Sequence, residues 1–182
     1  SRIRLVATQH GMPEGTIPGR WSLSRLIAKL NRYLLANQFN RMVAVSQDIK
    51  RNFIQFGFMP DRISVIYNGI EVPEEYSWTE GGPSTIVGSA GRFFPVKDYP
   101  LMVRIARLAL NECNSLKFEM AGDGPHRPMI ERLISDFAIS SSFCLKGHLD
   151  DMRSFYSHLD IYLNTSVHEG IPMSILEAMA RG

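Results

Sequence analysis

Four times between residues 85 and 182 a short apolar run gives way to a polar or glycine-bearing loop and then to apolar residues at helical spacing. Thr85-Ile86-Val87-Gly88-Ser89-Ala90 precedes a helix carrying Leu101, Met102, Ile105, Leu108 and Ala109. Leu116 to Ala121 alternates apolar and polar residues and precedes one carrying Met129, Ile130, Leu133, Ile134 and Phe137. Phe143 to Gly147 leads into Met152 to His158, with Asp150 and Asp151 where acidic side chains favour a helix N-terminus. Asp160 to Asn164 leads through a polar loop to Pro172, a residue suited to a first helical turn. Strands that alternate with helices in this way build a parallel sheet covered by helices. The loops that follow the strands then share one edge, where open α/β sheets bind ligands.

The front of the chain repeats the pattern less regularly. Ile3 to Thr8, Arg41 to Ser46 and Ile63 to Ile70 read as strands, Ser46 suits the N-cap of a helix over Gln47 to Phe56, and Asn68-Gly69 suits a turn. Residues 71–84, rich in proline, glycine and glutamate, read as a linker between a module over 1–70 and another over 85–182. Charge divides along nearly the same line: residues 1–68 hold ten cations and three anions, +7, and the remainder ten and fifteen, −5, for a net +2. A basic front module suits an acidic surface, and Leu23, Leu26, Ile27, Leu30, Tyr33, Leu34 and Leu35, interleaved with Arg25, Lys29 and Arg32, fit a helix lying on anionic membrane. The same spacing fits a core helix with a solvated basic side, the commoner reading of such a stripe.

Several loop residues carry chemistry. Arg92 and Lys97 stand between the first strand of the second module and its helix, in a loop where open α/β sheets bind ligands, although two ordinary surface cations account for them as well. Gly122-Asp123-Gly124-Pro125 permits a tight turn against a ligand, and is also a good helix start. Beyond Pro172, the amides of Met173 and Ser174 lack intrahelical partners and suit an anion. Glu177, about one turn on, is placed to accept hydrogen bonds from a diol, while Glu169, before the helix, would touch another part of one extended ligand. An acidic residue favouring the helix dipole and a solvated helical Glu account for the pair as well.

Glu169 and Glu177, with Gly170, Pro172 and Glu177-Ala178-Met179-Ala180, resemble the E-x7-E signature of retaining glycosyltransferases of the GT-B fold, family 4. The Gly91 to Tyr99 loop, the Gly122 to Pro125 turn, the segment ending at Ser46 and Ile66 to Ile70 agree with that family in order and spacing. The resemblance implies Rossmann-like parallel sheets with helices on both faces, in two domains. It implies that Arg92 and Lys97 hold the leaving diphosphate, Glu169 orients sugar hydroxyls, and Glu177 holds the ribose. Gly91, Gly122, Asp123, Gly124, Gly170, Met173 and Ser174 would border the donor, and His148 and Leu149 its base. His10, after a strand in a T-x-H setting, would face the transferred sugar, although a lone loop His is more often a surface residue.

The expected activity is transfer of a hexose from a UDP- or GDP-sugar to an acceptor hydroxyl with retention, in cell-surface polysaccharide or glycolipid synthesis. The expected partners are the nucleotide-sugar donor, a glycan or lipid-linked acceptor and an anionic membrane touched peripherally, with no nucleic acid. A binding module without turnover and a sugar-nucleotide epimerase are the alternatives. No two acidic residues stand at i and i+2, so the D-x-D pair that holds a divalent ion in the other major glycosyltransferase fold is missing and no metal or other cofactor is expected. Cys113 and Cys144 give no disulfide framework and fit a reducing cytoplasm. No run reaches the ~18 apolar residues of a membrane span. At 182 residues the chain is short for two such domains, and both are expected to be truncated.

Overall fold

The computed structural model describes residues 5–9, 39–55, 57–72 and 82–181. It divides into two compact units, one ending at Gly69 and including Glu169–Pro172, the other formed by Ile70–His168 and Met173–Gly182. His10 and the basic helix expected over residues 23–35 lie outside the described residues.

In the first unit, β1 (Val6–Gln9), β2 (Arg41–Ala44) and β3 (Ile63–Val65) form a parallel sheet in that order. Ser46 caps α1 (Gln47–Gln55) by accepting from the Ile49 amide at 3.2 Å. Helix α1 buries Ile49 and Phe53 against Met42, Ala44, Val45, Phe58 and Ile63. Strand β3 is shorter than expected, and Asn68-Gly69 forms no turn. The Asn68 side chain donates from Nδ2 to the Ile171 carbonyl at 3.0 Å, tying it to a distant segment of the chain.

In the second unit, β4 (Thr85–Ala90), β5 (Leu116–Ala121), β6 (Phe143–Gly147) and β7 (Ile161–Tyr162) make one parallel sheet, ordered β6-β5-β4-β7. Central β4 is buried from Val87 to Ala90, as a strand covered on both faces must be. On one face lie α2 (Tyr99–Glu112) and α3 (Arg127–Asp136), whose Met102, Val103, Ala106, Ile130 and Ile134 pack with Val87, Phe118 and Met120. On the other, Phe155 and Tyr156 of α4 (Met152–Ser157) pack over Ala90 and Ala121.

Two helix phases differ from expectation. Leu101 and Leu108 of α2 are exposed, and the buried stripe runs through Tyr99, Met102, Val103 and Ala106, anchored by Tyr99 set edge-on to Phe93 at 5.1 Å. Met129 of α3 is likewise exposed while Ile130 and Ile134 are buried. Each segment holds more apolar residues than one stripe needs, so packing against the sheet selects the phase.

Glu119 of β5 is a charged residue within the sheet. It accepts from Lys146 Nζ at 2.9 Å, and His158 Nε2 lies 2.8 Å from its other oxygen. Burial pushes this carboxyl up, but the bonds and charges of Lys146 and His158 outweigh it and hold the group below its ordinary value of 4.5. A depressed carboxyl stabilises the fold fully above its unfolded value, and that contribution is lost as pH falls through the folded one. Melting followed in acid should therefore drop below about pH 4.5, and Glu119→Gln should flatten that drop. Parallel curves for the two proteins would remove the role.

Among the described residues no helix is long and apolar enough to cross a membrane, and no three His, Cys, Asp or Glu side chains gather as a metal site would require.

Candidate functional site

The carboxyl ends of β4, β5 and β6 are joined loop to loop. The Gly91 amide donates to the Ala121 carbonyl at 3.0 Å and the Gly122 amide to Gly147 at 2.6 Å, carrying the sheet ladder past the strands. Phe93, fully buried, donates to the Asp123 carbonyl at 2.8 Å and accepts from the His126 amide at 3.1 Å. This closeness explains two glycines. Gly122 has φ +125°, and a Cβ there would collide with the Gly91 carbonyl; a Cβ on Gly124 would lie 2.8 Å from the Phe93 amide nitrogen and carbonyl oxygen. The approach of one loop to its neighbour therefore requires glycine at both positions. Asp123 accepts from the Gly124 amide at 2.7 Å and faces Arg127 at 3.5 Å.

The cation loop turns through a short 3-10 segment, Pro95–Lys97, and Asp98 in the left-handed region at φ 42°. This folds Lys97 back, so that its Cε and Nζ come within 3.3 and 3.6 Å of the point where a Gly91 side chain would begin. Arg92 is exposed and lies over the Phe94 ring, 5.1 Å from its centroid. The loop after β7 is bonded to the same turn: buried Thr165 donates from Oγ1 to the Lys97 carbonyl at 2.9 Å, and the Val167 amide donates to Val96 at 2.8 Å. Neither Phe93 nor Thr165 stands out in the sequence, because their partners lie far along the chain, 68 residues away for Thr165 and Lys97.

Helix α5 (Met173–Met179) starts just after Pro172, which leaves Met173 exposed and Ser174 half-buried in its first turn. Glu177 accepts a 2.8 Å hydrogen bond from the Tyr156 hydroxyl. The Tyr156 ring is buried, and burial first, then the bond to Glu177, push its phenol above the ordinary range. Spacing gave no route to this pair, which is 21 residues apart; the only signal is that a buried tyrosine hydroxyl needs an acceptor. A cavity of about 280 Å³ is lined by Met152, Arg153, Tyr156, Glu177 and Arg181 among others.

At the end of β6, Leu149 packs against the cluster around Phe155 and Tyr156, while His148 projects into solvent with Asp150 3.9 Å away. Asp151 caps α4 by accepting from the Ser154 amide at 3.1 Å, and the Ser154 hydroxyl, then that amide, hold its carboxyl below the usual carboxylate range. The second unit therefore gathers Gly91, Arg92, Lys97, Gly122, Asp123, Gly124, His148, Leu149, Met173, Ser174 and Glu177, whereas Glu169 and Gly170 belong to the first.

Parallel α/β units with ligand-facing loops at the carboxyl edge of the sheet are the architecture of GT-B glycosyltransferases. The crystal structure of a mutant of S. aureus TarM in complex with Fondaparinux, alpha-GlcNAc-glycerol and UDP matches with a TM-score of 0.79 at 22% identity, over 98% of this chain and 35% of that one. Anabaena Alr3699/HepE in complex with UDP matches with 0.75 at 21%, over 98% and 51%. Residues 84–182 match the family model of glycosyl transferases group 1, and the chain belongs to that family; residues 1–73 match the model of glycosyltransferase family 4. Among curated relatives, the poly(ribitol-phosphate) alpha-N-acetylglucosaminyltransferase of Staphylococcus aureus is 24% identical over 83% of this chain and 30% of its own length. The phosphatidylinositol N-acetylglucosaminyltransferase GPI3 subunit of Saccharomyces cerevisiae is 29% identical over 84% and 36%. The chain spans about a third of the length of these two relatives.

Proposed function

We propose that the protein to which this chain belongs transfers a hexose from a nucleoside-diphosphate sugar to an acceptor hydroxyl, with retention at the anomeric carbon. The observation that carries the reading is Lys97 folded back over Gly91 beside β4, in a turn held by Thr165 and Val167. A diphosphate seated there would meet a cation fixed before the bond breaks, which favours the transition state over the ground state. Arg92 adds a second cation by leaving the Phe94 ring, and the amides of Met173 and Ser174 add donors. Glu177 takes the ribose diol, Glu169 the sugar hydroxyls, and His10 the transferred sugar or acceptor. The cations and amides make a metal unnecessary on the diphosphate. His148 and Leu149 border the base, UDP or GDP.

The names of both curated relatives support an N-acetylglucosamine-type sugar and an acceptor such as a phosphate-linked polymer or a phosphatidylinositol lipid. Synthesis on the cytoplasmic side of a membrane, touched through the basic residues before position 68, fits that acceptor class. Glu177→Ala in the whole protein should raise the donor KM about tenfold or more, the usual scale for a lost hydrogen bond to a charged group, with kcat changed less. An unchanged KM would remove the ribose role.

A further inference from the structure

We infer that Tyr156 is a positioning residue that fixes the Glu177 carboxylate for recognition of the ribose in a nucleoside diphosphate. The inference rests on the ribose reading of Glu177 and adds a residue to it. The Tyr156 hydroxyl holds Oε2 of Glu177 at 2.8 Å. A carboxylate that rotates freely must lose that freedom when it grips a diol; one oxygen already anchored to a rigid phenol loses less.

The phenol is rigid for several reasons. Its ring is buried beside Phe155, with centroids 5.7 Å apart, and tilted against Tyr162 at 5.8 Å. The Tyr162 hydroxyl is itself 3.3 Å from both the Ala90 amide and the Ala90 carbonyl, which ties this aromatic group to the end of β4. Helix α4 beneath it is capped by Asp151. With its proton retained well beyond neutral pH by burial, the phenol is a constant donor to Glu177. The pair also borders the cavity of about 280 Å³, which leaves room beside the carboxylate for a bound group.

The test is calorimetric titration of the whole protein with UDP, GDP and their 2′-deoxy counterparts. For whichever base binds, the ratio of ribo to 2′-deoxy affinity reads the diol contact, a quantity that loosened packing would not change selectively. Tyr156→Phe should lower that ratio about three- to tenfold, the scale of one ordinary net hydrogen bond acting through its partner, and leave the 2′-deoxy affinity within twofold. Tyr156→Met, a second side chain without a donor, carries the same measurement if the Phe variant does not fold. In a Glu177→Gln background the Tyr156 change should have no further effect on the ratio. If Glu177→Gln abolishes ribose preference while Tyr156→Phe retains it, or lowers both affinities equally, the positioning role is overturned. If Glu177→Gln itself leaves the preference intact, the ribose reading of Glu177 fails, and the positioning role with it.

Discussion

Lys97→Ala is expected to lower kcat of the whole protein by about 10²- to 10³-fold, the cost of removing one preorganised donor from a developing anion. Nucleotide binding should weaken far less, because ground state and transition state differ chiefly in the charge on the departing diphosphate. The side chain crosses the Gly91 backbone at the end of a turn whose carbonyls are held by Thr165 and Val167, which sets it beside the end of β4. Its loss also leaves the main packing intact, since the core residue of that loop is Phe93. Melting should therefore move little while turnover collapses. The arginine behaves differently: Arg92 rests on Phe94 and must give up that contact, worth roughly 0.5–1 kcal/mol at an exposed site, to reach a ligand. Arg92→Ala should accordingly cost less than Lys97→Ala. Single-turnover assay with a nucleotide sugar ranks the two, and a Lys97→Ala enzyme within threefold of the parent would remove the charge-stabilising role.

The periodicity of the sequence carried most of the second unit. Strand and helix alternate there with loops too short for other topologies, and all four strands do join in one parallel sheet. Helix phase was less legible, because Leu101, Leu108 and Met129 are as apolar as the neighbours that the sheet buries. Composition cannot distinguish two overlapping stripes when both are apolar. In the front unit Asn68-Gly69 reads as a turn and forms none; the Asn68 side chain donates to Ile171, a partner 103 residues away that no local pattern shows. Loop residues with charge stood out at once, but their supports did not. Phe93, Thr165 and Tyr156 look like ordinary residues of a loop, a strand end and a helix, and their roles exist only through partners far along the chain.

The glycine loops show how tightly the site depends on such partners. Gly122→Ala should be among the most damaging single changes in the second unit, although it adds only a methyl group. The residue sits at φ +125°, a conformation that L side chains rarely adopt, and a Cβ would press into the Gly91 carbonyl, 2.9 Å from its carbon. That obstacle is backbone, and it cannot move cheaply: the Gly91 amide is bonded to Ala121, and the Gly122 amide to Gly147. Strain of about 1–3 kcal/mol for the dihedral and a similar cost for overpacking together reach a large part of a domain's net stability. Gly69→Ala, where a Cβ meets nothing within 4 Å, is the matched control. Denaturant titration should show the Gly122 variant losing several kcal/mol while the control changes little, and nucleotide binding should fall with it, since a shift of Gly91 displaces Lys97. A Gly122→Ala protein as stable as the control would mean that the two loops can separate without cost, and that their contact does not hold Lys97 in place.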